Sequence, residues 1–190
     1  MLTDIVVPRP IAWVSTVSDK RIFNLAPFSA YAMAGVIPML VCFSVGTTRE
    51  GRKKDTILNI ESTKEFAISV VTEELAESMN KTSAPYPRDV SEYEKVGLTP
   101  VKADIIKAPL VGESPVNMEC SLLQILEFGK APTLSNLVIG EILMVHIADE
   151  LFDKQSGRIS GLKAVGRLGG DADIYCRTRD TFKMKRPTSY

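Results

Sequence analysis

The chain is 190 residues long, 45% hydrophobic and 24% charged, and its 23 basic and 23 acidic side chains cancel. That length supports one domain with a core of its own, while zero net charge disfavours a nucleic-acid binder or a polybasic membrane-surface protein. The three cysteines are far apart without a CxxC, no apolar run reaches spanning length, and no signal-peptide pattern is present; a reduced, cytoplasmic protein is expected.

RPIAWVSTV reads as a strand, with β-branched and aromatic residues behind a proline. DKR turns the chain, and IFNLAPFSAYAMAG resumes an extended pattern that Pro27, lacking an N–H, should bulge or break. PMLVCFSVG is apolar on both faces, as a buried central strand would be. The period then changes. DTILNIEST has Ile57 and Ile60 at helical spacing behind Asp55 or Thr56 as a cap. EFAISVVT alternates again, with Phe66, Ile68 and Val70 on one face. EELAESMNKTS predicts a helix with acids in its first turn and Leu75 and Met79 four apart. The proline-broken loop SAPYPRDVSEYEKVGL carries Tyr86 and Tyr93 and room for one short helix.

VNMECSLLQILEF and LSNLVIGEILMVHIAD, joined by GKAPT, read as a hairpin. In its second strand Leu137, Ile139, Leu143, Val145 and Ile147 should point one way, and Val138, Ile142, Met144 and His146 the other. A strand apolar on both faces has one face to spare, which suggests a subunit interface. The tail LKAVGRLGGDADIYCRTRD is glycine-rich around Arg167. Strands dominate, helices are short, and neither GxGxxG nor GxxxxGK[ST] occurs. A doubly wound nucleotide fold is therefore disfavoured, and an antiparallel barrel spanning residues 1–190 is expected.

Chemistry has few candidates. With one histidine and no close cysteine pair, a zinc site is disfavoured. A Ser-His-Asp hydrolase would need His146, which reads as a packed or interface residue. The unusual stretch is SVGTTREGRKKDTILNI, where Arg49, Arg52, Lys53 and Lys54 crowd together ahead of a helix start. Lys54 and Thr56 stand at that start and Arg49 on the approach, so a phosphate could be gripped by charge, hydroxyl and free N–H together. The competing reading is a solvated turn. In NLAPFSAYA, Asn24 and Ser29 are polar among apolar residues and Pro27 frees nearby backbone groups, which a flat heteroaromatic ligand or ordered water would satisfy. Trp13, Ser15 and Thr16 end a strand able to lie beside both stretches, although a lone tryptophan is also a natural core residue.

Taken together, PRPIAWVST, NLAPFSAYA, LVCFSVGTTREGRKKDTILNI, EFAISVVTEELAESMN and VGRLGG follow one another in the order and spacing of the flavin reductase-like proteins. From Val7 to Pro187 the chain resembles that family, above all its flavoredoxin-like branch. The resemblance implies a mainly β, Greek-key FMN-binding split β-barrel with a few short helices, and a homodimer with FMN near the interface. It also implies NADH or NADPH as electron donor, and a small-molecule substrate or redox partner protein rather than nucleic acid or membrane. Carried over, it gives the FMN phosphate to Arg49, Lys54, Asp55 and Thr56, and the ring wall to Asn24, Ala26, Pro27, Phe28 and Ser29. Trp13, Ser15 and Thr16 would lie along the ring or ribityl chain, and Ser44 and Gly46 near the ribityl-phosphate end. The loop TSAPYP would reach the cofactor from above or from the partner subunit. Two departures stand out: relatives carry a helix ahead of the PRP segment, and the short reductases of monooxygenase pairs have a Gly-Asp-His before GEI where this chain reads GKAPTLSNLVIGEI. The function implied is an FMN-dependent NAD(P)H:flavin or small-acceptor oxidoreductase; the alternatives are a non-catalytic FMN electron carrier and a plain barrel holding some other phosphorylated ligand or none.

Overall fold

The computed structural model of the chain describes residues 1–169 and 174–187; residues 170–173, which include the last glycine of VGRLGG, lie outside the described residues. A helical turn, α1 (Leu2–Ile5), and a two-residue strand, β1 (Arg9–Pro10), lead into β2 (Ala12–Val17) and β3 (Phe23–Phe28). Then come β4 (Tyr31–Gly35), β5 (Leu40–Gly46), α2 (Asp55–Thr63), β6 (Glu65–Val70), α3 (Ala76–Lys81) and α4 (Glu92–Val96). The short pair β7 (Pro100–Val101) and β8 (Leu110–Val111) precedes the long hairpin of β9 (Val116–Phe128) and β10 (Ser135–Ile147). A 3-10 turn over Asp149–Leu151, the pair β11 (Phe152–Asp153) and β12 (Arg158–Ile159), then β13 (Val165–Arg167) and β14 (Tyr175–Arg177) follow, with β13 pairing back onto β1.

Seven strands form one sheet in the order β3-β2-β6-β9-β10-β5-β4. Its two edges, β3 and β4, are consecutive in the chain and separated only by Ser29 and Ala30. The sheet must therefore curl to bring these edges to one seam, and the Ser44 N–H bonds the Ala30 carbonyl at 2.8 Å, extending the β4–β5 pairing into the short connection between them. Between β5 and β6 the chain crosses the barrel end as α2, which buries Ile57 and Ile60 in the core with Phe43, Phe66 and Val138. A second apolar cluster lies on the outer side of β2, where Trp13 packs with Leu25, Met79 and Tyr93. The result is the mainly β split barrel with short helices that the sequence predicts.

Several local expectations are corrected. Pro27 neither bulges nor breaks β3, whose register with β2 runs unbroken from Ala12↔Phe28 to Val17↔Phe23; on an edge strand a missing N–H is tolerated. β5 is not a central strand buried on both faces: Val41, Phe43 and Val45 are buried, while Leu40, Cys42 and Ser44 are half-exposed. Neither Asp55 nor Thr56 caps α2; the cap position is Lys54, and no side chain bonds there. The third helix begins at Ala76, so Glu73 and Glu74 precede it and Glu77 is its first-turn acid.

The largest correction concerns His146. The β9–β10 ladder shifts register twice, skipping Leu123 on β9 and Leu143 on β10. Ile142 opposes Cys120 but Met144 opposes Glu119, the next residue along β9. Neighbours in a strand face opposite ways, so Met144 and His146 face away from Val138 and Ile142 rather than with them. Close packing accompanies the first shift: a side chain on Gly140 would place its Cβ 2.5 Å from Phe66 Cζ.

Candidate functional site

The loop from β5 to α2 folds back on itself. The Thr48 carbonyl accepts the Gly51 N–H at 3.0 Å and the Thr48 N–H donates to the Arg52 carbonyl at 2.8 Å, with Gly51 at φ +77°, a conformation glycine adopts without penalty. This turn sorts its four cations. Lys53 bonds Glu61 at 2.5 Å and Glu127 at 2.8 Å, and Arg52 pairs with Glu50 at 3.6 Å. Arg49 and Lys54 have no acidic partner among the described residues. Lys54 stands in extended conformation directly before α2, its ammonium 5.8 Å from the centre of the Phe28 ring. Its carbonyl accepts the N–H groups of Ile57 and Leu58, leaving those of Asp55 and Thr56 without an intrahelical acceptor. Unneutralised charge and free donors thus coincide at one helix start, beside β3.

On the β3 side the polar groups are committed. The Asn24 carbonyl oxygen accepts from Thr56 Oγ1 at 3.0 Å and from Thr16 Oγ1 at 3.3 Å, and Thr16 in turn accepts from Asn59 Nδ2 at 3.0 Å. Asn24 Nδ2 donates to Glu92 Oε1, and the Leu25 N–H to Glu92 Oε2, both at 2.9 Å. Thr16 and Thr56 are buried, so Thr56 can offer a phosphate its backbone N–H but not its hydroxyl. Burial raises the Glu92 carboxyl above its ordinary range; the Leu25 N–H and the Asn24 amide pull it back, and the Asp55 carboxylate adds to the rise.

Two members of this arrangement lie outside the sequence-based set. Glu92, from α4, fastens β3, and Arg88, from the loop before α4, reaches α2: its guanidinium donates to Asp55 Oδ1 at 2.6 Å and to Asn59 Oδ1 at 3.3 Å. The only sequence signal for either was the proline-broken loop that carries them.

The remaining predicted residues divide. Ala26, Pro27 and Ser29 are half-buried along β3 and the seam, and Ser29 Oγ accepts from Arg9 Nε at 3.5 Å. Ser44, bonded to Ser135 at 2.6 Å, and exposed Gly46 end β5 beside that seam. Trp13 and Ser15 are fully buried on the outer side of β2, and the indole N–H bonds Thr82 Oγ1 at 2.9 Å; neither side chain presents a surface to a ligand. Two surface grooves of about 420 and 380 Å³ share no residue with the candidate set.

His146 belongs to a different assembly. Asp104, Glu119 and His146 bring one potential ligand atom each within 4.8 Å of one another. The Glu119 oxygens are already saturated, however: Oε1 accepts the Asp104 N–H at 2.9 Å and meets His146 Nε2 at 2.6 Å, and Oε2 accepts from Ile105 and Ile106 at 2.7 and 3.0 Å. Burial opposes the charge on Glu119, but these four bonds outweigh it and hold the carboxyl below its ordinary range. The group is a staple between β9, β10 and the loop before β8.

Residues 5–162 match the family described as Flavin reductase like domain. Among solved structures, nitrilotriacetate monooxygenase component B from Bacillus cereus superposes with a TM-score of 0.89 at 33% identity, over 96% of this chain and 90% of that one. The 2-nitrobenzoate 2-nitroreductase NbaA of Pseudomonas fluorescens gives 0.87 at 33% identity, over 98% and 89%. A split-barrel protein from Shewanella frigidimarina NCIMB 400 gives 0.84 at 26% identity, over 98% and 90%.

Proposed function

The chain belongs to the flavin reductase-like family, and on that premise we propose that it is an FMN-dependent oxidoreductase passing electrons from NADH or NADPH to flavin or to a small organic acceptor. The observation that carries this reading is the sorting of charge in the loop before α2. Two of its four cations are neutralised by carboxylates; of the two left over, Lys54 stands directly before the free N–H groups of the helix start and Arg49 precedes it in the same loop. That donor set suits a phosphate monoester.

In this reading Arg49, Lys54 and the N–H groups of Asp55 and Thr56 hold the phosphate. Ala26, Pro27, Phe28 and Ser29 form the wall for the ring, and Ser44 and Gly46 border the linking chain. Bound there, the flavin supplies two-electron acceptance and one- or two-electron release. The protein's part is binding and orientation, with no acid-base pair required, in keeping with a lone histidine engaged by Glu119. The names of two neighbours, a monooxygenase component and a nitroreductase, support a redox role.

A homodimer goes with this proposal. Met33, Val36 and Ile37, around the turn after β4, are 74%, 65% and 95% exposed, and Leu143 and Met144 add apolar surface on β10, more than a solitary soluble chain usually leaves in water. Among the described residues no helix is long and apolar enough to cross a membrane, and we place the protein's work in the cytoplasm.

The test is anaerobic. Protein loaded with FMN is mixed under argon with NADH or NADPH and the flavin absorbance followed. Bleaching by either donor is expected; failure with both, with FMN bound, favours an electron carrier reduced by a protein partner. Protein that takes up no FMN at all overturns the site.

A further inference from the structure

Asp55 is an awkward residue for a phosphate seat. It is the first residue of α2, adjacent to Lys54, and contributes a carboxylate to the helix start where Lys54 supplies positive charge. A first-turn acid suits the helix dipole, but it repels a phosphate dianion held at the same helix start. The structure shows what offsets it. Arg88 crosses from the loop before α4 and sets Nη1 2.6 Å from Asp55 Oδ1, while Nη2 reaches Asn59 Oδ1, one turn along the helix. Four residues after Arg88, Glu92 is fastened to Asn24 and Leu25 on β3. The segment 88–92 is thus tied at one end to the phosphate side and at the other to the ring wall.

We propose that Arg88 is a positioning residue of the flavin site that acts through Asp55: by neutralising that carboxylate it leaves the helix start net positive and selective for a phosphorylated flavin. This rests on the FMN reading above and adds to it a residue, a partner and a specificity. Arg88 and Asp55 are 45% and 32% exposed, so their bridge contributes little to folding. Its effect falls on ligand charge instead, because a carboxylate and a phosphate at one helix start interact through partly desolvated surroundings.

The test compares a phosphorylated with an unphosphorylated ligand. Dissociation constants for FMN and for riboflavin are measured by fluorescence quenching on the flavin-stripped full chain, for wild type, Arg88→Gln, Asp55→Asn and the double variant. Thermal midpoints confirm that each variant is folded. Arg88→Gln should weaken FMN by about tenfold or more while riboflavin changes by less than about threefold. Asp55→Asn keeps its N–H and should bind FMN as tightly as wild type or more so. The double variant should return to within about threefold of Asp55→Asn, since without the carboxylate the guanidinium has nothing to neutralise. An unchanged FMN-to-riboflavin ratio in Arg88→Gln overturns the proposal. So does a double variant as weak as Arg88→Gln, which would mean that Arg88 does not act through Asp55. Wild-type protein that binds neither flavin defeats the FMN reading and this inference together, an outcome distinct from the other two.

Discussion

Two buried glutamates sit at different places in the barrel and are treated in opposite ways. Glu119 is fully buried in the staple between β9, β10 and the loop before β8, and four donors converge on it. Glu92, only 6% exposed beside the candidate site, accepts from one backbone N–H and one side-chain amide, with the Asp55 carboxylate as a neighbour. Burial disfavours both charges, but at Glu119 the hydrogen bonds win and the carboxyl is held low, whereas at Glu92 burial wins and it is held high. The Glu119 region is satisfied and serves the fold. The Glu92 region tolerates an under-solvated charge, and such compromises gather where a protein works.

The largest effect that could break this contrast is on the Glu119 side. Glu119→Ala leaves a cavity and strands three backbone N–H groups, of which that of Ile106 is buried, together with His146, and should lower unfolding free energy by about 3 kcal/mol, read by urea denaturation. Flavin affinity of the folded fraction should stay unchanged; a loss under 1 kcal/mol would show that the four donors find other partners. The mirror experiment is Lys54→Ala. Lys54 has no ion pair to lose, so the midpoint of unfolding should hold while FMN affinity falls by about 1.5–3 kcal/mol, roughly 10- to 150-fold in Kd. Unaltered binding, measured by titration of flavin-free protein, removes Lys54 from the phosphate seat.

The sequence made one half of this contrast legible and hid the other. Period-two runs and turn residues were enough for the barrel, because pattern and strand pairing obey the same alternation. They were not enough for the faces of β10, since one extra residue, Leu143, inverts every side chain after it and no composition marks such a bulge. That is why strict alternation puts His146 on the wrong side. The cationic loop, NLAPFS and the Lys54-Asp55-Thr56 run were readable because each is local. Arg88 and Glu92 were not, because they reach across 33 and 68 residues to Asp55 and Asn24, and only the packing of α4 on β3 joins them. Trp13 misled for a related reason: which face of β2 carries the second core depends on where α3 and α4 settle, a tertiary choice.

Acid titration sharpens the contrast with a smaller effect. In the unfolded chain Glu92 ionises near 4.5, whereas the native state holds its proton to higher pH. Between those values the folded form binds more protons, so Glu92's contribution to stability is complete below 4.5 and disappears as pH rises through the raised native value. Glu119 runs the other way, its contribution present above 4.5 and lost as pH falls through its lowered native value. Glu92→Gln keeps an acceptor for Asn24 or Leu25 and should change stability at neutral pH by less than about 1 kcal/mol. The wild-type minus Glu92→Gln difference, followed by denaturation from pH 4 upward, should decline with pH and then level off. A difference that rises with pH contradicts the burial argument.

The smallest effect is the most discriminating for the charge-sorting argument. Arg52 lies two residues from Lys54, and its contact with Glu50 at 3.6 Å is between side chains 78% and 64% exposed; such pairs rarely register in stability. If the loop attracted phosphate only through its summed potential, removing any of its cations would weaken FMN similarly, since a potential screened over about 8 Å at physiological salt distinguishes poorly between neighbouring charges of one short loop. If instead the seat is the helix start flanked by the two unpaired cations, Arg52→Ala should leave both the thermal midpoint and the FMN dissociation constant unchanged at that ionic strength. Equal losses for Arg52→Ala and Lys54→Ala would reduce the seat to a diffuse positive patch, and the distinction between paired and unpaired cations would lose its functional meaning.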